Sequence, residues 1–252
     1  MNPKLSSPAA PKPDSGPDAD ADDGVLPAAL EPLPGVDPGS SVVREPWRRY
    51  ALYGLAALAL WGALWVLMLA SGAADAVDAR IGGFDPAAPL AGMMRDLTSF
   101  GSATFITLFA LTGWIVLMAR RRTRDALQVA LAAAGSGLWV ETLKPLYARA
   151  RPDALPALTE WFSASFPSGH TLMSAALYPT LAVVFGATLK PAVRQAWFAA
   201  ALALVVTVAL SRVYLRVHFP TDVIGGSVFG LLWAWVAHHG LRALLPYRAP
   251  MG

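Results

Sequence analysis

Three short groups of residues at the ends of apolar runs carry the chemistry of this chain. They are Lys144 with Arg151 and Pro152, then Pro167, Ser168, Gly169 and His170, then Ser211 and Arg212 with His218 and Asp222. Two histidines, three cationic side chains and a small-residue turn are the parts needed to move a phosphoryl group through a covalent histidine intermediate. Such a transfer demands neutralising charge on the three equatorial oxygens and an in-line nucleophile and leaving group. Lys144, Arg151 and Arg212 supply the charge, and an arginine fork binds phosphate oxygens in pairs. Ser168 and Gly169 precede a predicted helix, so their backbone N–H groups are expected to form an anion nest at its N-terminus. Glycine there lets the backbone come close to a ligand.

The three groups, in this order and at these spacings, resemble the signature of the type 2 phosphatidic acid phosphatase superfamily: K-x6-RP, then PSGH, then SR-x5-H-x3-D. Every fixed position has its counterpart in the chain, and the resemblance covers about residues 50–245. His218 reads as the nucleophile. Asp222, four residues on, is placed to accept a hydrogen bond from the imidazole Nδ1–H, leaving Nε2 free to attack and stabilising the cation that forms. His170 is then the acid that protonates the departing oxygen and later the base that activates water. The resemblance implies the same roles. No metal or other cofactor is expected, because the cations do that electrostatic work and the sequence lacks a clustered carboxylate set for Mg²⁺.

Each residue taken singly also has a plainer role. A histidine at a membrane interface is commonly a solvated or core residue, and Lys144 or Arg151 could simply snorkel to headgroups. Glu141 and Lys144, three apart, could form a helix ion pair. The coincidence of all of them at one face argues against that. His238 and His239, near the opposite end of the last apolar run, read as structural.

The elements that must position these groups are helices in lipid. Of 252 residues, 55% are hydrophobic and 15% charged, against about 25% charged in a soluble domain. With no cysteine, disulfides, thiolate metal sites and cysteine nucleophiles are excluded. Apolar runs at 50–70, 103–118, 126–146, 171–189, 196–210 and 223–245 approach the roughly 20 residues a spanning helix needs, and open strands cannot cross lipid. The expected fold is all-α: a six-helix transmembrane bundle over residues 44–252. Residues 1–43, with seven acidic residues, two lysines and no aromatic residue, are expected to be a disordered tail.

Basic residues orient the bundle. Arg44, Arg48, Arg49, Arg120, Arg121, Arg122, Arg124, Lys190, Arg194, Arg242 and Arg248 fall on one side of a six-span arrangement, which the positive-inside rule makes cytoplasmic. Both termini then face the cytoplasm of a bacterial-type inner membrane. Lys144, Arg149, Arg151, Arg212, Arg216, His170 and His218 fall on the outer, periplasmic side, where retained cations imply an anionic partner. Gly226 and Gly230 form a small-residue pair that permits close helix contact, read as packing within one chain. The outer segment 72–101, with Met93, Met94, Arg95, Asp96 and Leu97, is expected to hold an interfacial helix, and the loop 153–164, with Trp161 and Phe162, to border the site.

The partner expected is a lipid phosphate in the bilayer, not a nucleic acid. A monoester or diphosphate is favoured: phosphatidate, phosphatidylglycerophosphate or a polyprenyl diphosphate. Two alternatives stay open from the same residues, a phosphotransferase passing the group from His218 to a lipid or sugar acceptor, and a catalytically silent lipid transporter.

Overall fold

The computed structural model describes residues 41–81, 90–153 and 156–245. The expected tail therefore lies outside the described residues apart from its last three positions, 41–43, which belong to the first helix. Among the described residues eight helices follow one another: α1 Ser41–Ala70, α2 Ala73–Ile81, α3 Ala91–Ser99, α4 Ala103–Ala119, α5 Thr123–Tyr147, α6 Gly169–Gly186, α7 Pro191–Tyr214 and α8 Pro220–Leu244.

The six long helices coincide with the six apolar runs. They extend past them where polar or proline residues reach the interface: Pro191 and Pro220 open α7 and α8 at the first helical turn, where a missing N–H costs nothing. Two short helices, α2 and α3, stand in the segment 72–101, where the sequence predicts one interfacial helix. Four stretches are long and apolar enough to cross a membrane, Pro46–Ala70, Ala91–Ala119, Thr123–Tyr147 and Pro191–Tyr214, so the protein is a multi-pass membrane protein. Among the described residues α6 and α8 are not counted with these four. They fill the centre of the bundle, where Ser174, Thr180, Gly226 and Gly230 face protein.

α6 is the axis of the fold, buried over most of its length and packed against α5, α7 and α8. Gly226 and Gly230 make the α6–α8 contact possible. A Cβ on Gly226 would sit 2.7 Å from the Ser168 carbonyl oxygen, and one on Gly230 would collide with Leu172 and Ala175. The expected packing within one chain is therefore what the pair does. α1 closes over α8, turning Leu52, Tyr53, Leu60 and Leu67 outward toward lipid. It is tied down by Tyr147 Oη donating to Gly62 O at 2.8 Å and Trp61 Nε1 to Gly225 O at 3.3 Å. Phe166, fully buried, is wedged between Trp65 and Tyr147 at ring distances of 4.5 and 4.8 Å. That anchor fixes the turn leading into α6.

Candidate active site

The alternation of long helices brings the end of α5, the start of α6, the end of α7 and the start of α8 to one end of the bundle. Lys144, Arg151, His170, Arg212, His218 and Asp222 meet there. His170 has Arg212, His218, Lys144 and Arg151 as its titratable neighbours, and Lys144 has Arg151, Asp222, Arg212 and Glu141.

Local backbone features aim them. Ala148 caps α5 in the left-handed region, φ 44°, and returns its N–H to Lys144 O at 2.9 Å. The chain then leaves the helix so that Arg149 and Arg151 turn back over the site. Arg216, at φ 60°, turns the chain after α7, and His218 follows it into the interior at 3% exposure. Gly169 lets the turn approach α5 closely, since a Cβ would stand 3.1 Å from Val140 Cγ1.

His218 Nδ1 lies 3.5 Å from Asp222 Oδ2 and 3.5 Å from Ser165 Oγ, and Nε2 lies 3.4 Å from Arg151 Nη1. A carboxylate only accepts, so Nδ1 carries the proton and Nε2 is left with a lone pair on the cationic side. Burial pushes the His218 pKa down to about 4 against the pull of Asp222, so the ring is neutral near pH 7. Asp222 is fully buried. Its Oδ2 also accepts from Ser165 Oγ at 2.5 Å and Phe219 N at 2.9 Å.

The cations are held in different ways. Lys144 Nζ donates to Ala164 O at 2.6 Å, and Arg151 donates to the carbonyls of Ser163 (2.8 Å), Val217 and Ala164 (3.4 Å). Burial lowers the Arg151 pKa, with Asp222 opposing. Arg212 Nη1 donates to Thr98 Oγ1 at 3.2 Å, while its buried Nε has no hydrogen-bond partner among the described residues. A buried donor left open costs free energy unless something accepts from it, and an anion would. Ser168 departs from expectation: its N–H, assigned to the anion nest, donates to Asp222 O at 3.1 Å. Its Oγ lies 3.0 Å from Thr171 Oγ1. It ties α6 to α8, and Gly169 N–H is what the expected nest has left at that turn.

Beside this cluster opens a cavity of about 920 Å³ lined by Glu141, Lys144, Arg149, Arg151, Trp161 and Phe162, among others. The Arg151 guanidinium lies 5.1 Å over the Trp161 ring, and Phe162 is 90% exposed, as a side chain facing a bilayer surface would be. The loop 153–164 thus borders the site as expected, its residues 154 and 155 excepted as outside the described residues. At the far end of the bundle, the His239 ring lies 4.3 Å from Trp235 and 5.2 Å from Tyr50, with His238 Nδ1 3.2 Å from Gln128 Oε1. That is remote from the cluster.

Sequence reasoning missed Ser165, Thr98, Thr221 and Asp78. A lone serine or threonine in a loop carries no signal of its partner. Asp78, in a weakly apolar nonamer, carried none either. In the sequence Arg149 reads only as a cation expected on the outer side.

The description "PAP2 superfamily" matches residues 125–245. Phosphatidylglycerophosphatase B of Bacillus subtilis strain 168 is 34% identical over 142 residues, 56% of this chain and 70% of that protein. Lipid A 1-phosphatase of Rhizobium johnstonii is 33% identical over 181 residues, 63% of this chain and 69% of its own. Among solved structures, the transmembrane PAP2-type phosphatidylglycerolphosphate phosphatase from Bacillus subtilis superposes with a TM-score of 0.65. It is 27% identical, covering 79% of this chain and 98% of that one.

Proposed function

Because the chain belongs to the PAP2 superfamily, we propose that it is a membrane phosphatase that hydrolyses a lipid phosphate monoester or diphosphate through a phosphohistidine. The observation that carries this reading is the setting of His218. Its Nδ1 faces the buried carboxylate of Asp222 and its Nε2 faces Arg151, inside a ring of cations.

In the first step His218 Nε2 attacks phosphorus, the P–O bond to the lipid breaks, and His170 gives its proton to the leaving oxygen. Asp222 accepts from Nδ1–H and steadies the positive ring. Lys144, Arg151, Arg212 and the Gly169 N–H hold the phosphoryl oxygens, with Ser168 shaping the turn. In the second step water attacks the phosphohistidine as His170 takes its proton, the P–N bond breaks, and inorganic phosphate leaves. No metal enters either step.

The carriers named for the relatives, phosphatidylglycerophosphate and lipid A 1-phosphate, join phosphatidate and polyprenyl diphosphate as substrates. In each the phosphate sits at an interface while the chains stay in lipid, which suits a site at the mouth of a bundle. Six spans, both termini cytoplasmic and a periplasmic active site in the inner membrane complete the proposal, supported by the one-sided basic residues. Phosphate release from these four lipids by purified protein is the test. At least one should be turned over, and His218→Ala should abolish it. An unchanged rate in His218→Ala sinks the assignment.

A further inference from the structure

One buried ionic network at the site has no place in that mechanism. Arg149, whose side chain is 7% exposed, donates from Nη1 to Asp222 Oδ1 at 2.6 Å and Thr221 Oγ1 at 2.8 Å. From Nη2 it donates to Asp78 Oδ2 at 2.8 Å and Asp75 Oδ1 at 2.6 Å. Its guanidinium lies 4.4 Å over the Phe219 ring. Asp78, itself buried, also accepts from Thr221 N at 2.9 Å and Thr221 Oγ1 at 2.6 Å. Burial works against the Arg149 charge, and the carboxylates outweigh it and raise its pKa.

The consequence lies in how Asp222 is divided. One oxygen belongs to Arg149 and the other to Ser165, Phe219 N and the His218 ring. A carboxylate free to rotate could not keep one oxygen on Nδ1. We propose that Arg149 and Asp78 are positioning residues for phosphoryl transfer: Asp78 on α2 anchors Arg149, and Arg149 pins Asp222 Oδ1 so that Oδ2 faces His218. This rests on His218 being the nucleophile. It makes the short helix α2 part of the catalytic apparatus although it holds none of the signature residues.

A mere brace between α2 and α8 would use the same contacts, and buried ion pairs are weak evidence for stability. Charge separates the two. The groups facing His218 are Asp222 from α8, Arg151 from the loop after α5, Lys144 from α5, His170 from α6 and Arg212 from α7. Arg149, Asp75 and Asp78 act through Asp222. Neutralising Arg149 leaves Asp222 more negative toward the ring, so His218 takes a proton more easily. Neutralising Asp78 leaves Arg149 less compensated and does the opposite.

The experiment follows kcat and KM against pH for the purified full chain, with phosphatidate in detergent micelles or whichever lipid phosphate it turns over fastest. Arg149→Gln should lower kcat roughly ten- to hundredfold, leave KM nearly unchanged, and move the acid limb to higher pH. Asp78→Asn should move it to lower pH. Arg149→Lys should return the limb to its wild-type position but not the full kcat, because the fork is lost. Shifts of like sign, or a kcat loss with an unmoved limb, would reduce the network to a brace and overturn the proposal. Should Arg149→Gln not fold, the sign of the Asp78→Asn shift decides alone. Activity surviving in His218→Ala would instead overturn the site reading, a separate and recognisable failure.

Discussion

His218→Ala and His170→Ala should fail differently. The first removes the proposed attacking nitrogen, so no phosphoenzyme should form from any substrate. The second removes a proton donor, which an alkoxide leaving group from a monoester needs more than the phosphate leaving from a diphosphate. In His170→Ala, phosphoenzyme should therefore form faster from a diphosphate, and hydrolyse slowly in both cases. Rapid-quench trapping of the acid-labile phosphohistidine measures this, and phosphoenzyme in His218→Ala contradicts the roles. In the proposed mechanism the neutral His218 ring is the reactive form. With its folded pKa depressed to about 4, activity should persist well below pH 6.5 and fall only as pH drops through that lower value. A kcat/KM profile with its acid limb near 6.5 would place the nucleophile elsewhere. Arg212→Lys keeps the charge and loses the planar fork with its open Nε. Turnover should drop about 10²–10³-fold, and a wild-type rate would remove Arg212 from contact with the phosphate.

At the scale of elements, the α6–α8 contact sets the distance between the two histidine-bearing turns. Gly226 lies against the Ser168 carbonyl, and the Ser168 N–H is bonded to Asp222 O. A methyl group at Gly226 therefore pushes the turn before α6 away from the start of α8. Overpacking of this kind costs about 1–3 kcal/mol. Gly226→Ala should lower the melting temperature and reduce kcat together. Gly137, with nothing among the described residues within 4 Å of its would-be Cβ, serves as the control in Gly137→Ala and should change little. Equal effects at both positions would mean that close approach at Gly226 is not what matters.

For the whole molecule, the arrangement predicts opposite faces for the two turn regions. The chain has no cysteine, so single cysteines report cleanly. In intact cells a membrane-impermeant maleimide should label Phe162→Cys, on the exposed loop beside the site, and spare Thr123→Cys, beside Arg120, Arg121 and Arg122. Labelling of both, or of Thr123→Cys alone, contradicts a site on the outer face. The two short helices belong to this scale as well. α3 leads into α4 through Ser102, which caps it by accepting from Phe105 N at 3.4 Å, and brings Thr98 to Arg212. α2 brings Asp78 to Thr221.

The helical bundle and the site residues were legible in the sequence because both rest on short-range information. An apolar run in lipid has to satisfy its own backbone, so helix follows from composition. The parity of such runs brings the signature groups to one end whatever their packing. Lys144, His170, Arg212, His218 and Asp222 meet accordingly. Packing decided the rest. That Ser168 spends its N–H on Asp222, that Ser165 and Arg149 share the same carboxylate, and that Arg212 keeps one open donor depend on which groups α2, α3 and the loop before α6 bring near. The Ser165 and Arg149 contacts with Asp222 span 57 and 73 residues of chain and the Arg212–Thr98 contact 114, and no local pattern records them. A buried polar group takes whichever partner the tertiary structure leaves within reach, because remaining unpaired would cost more.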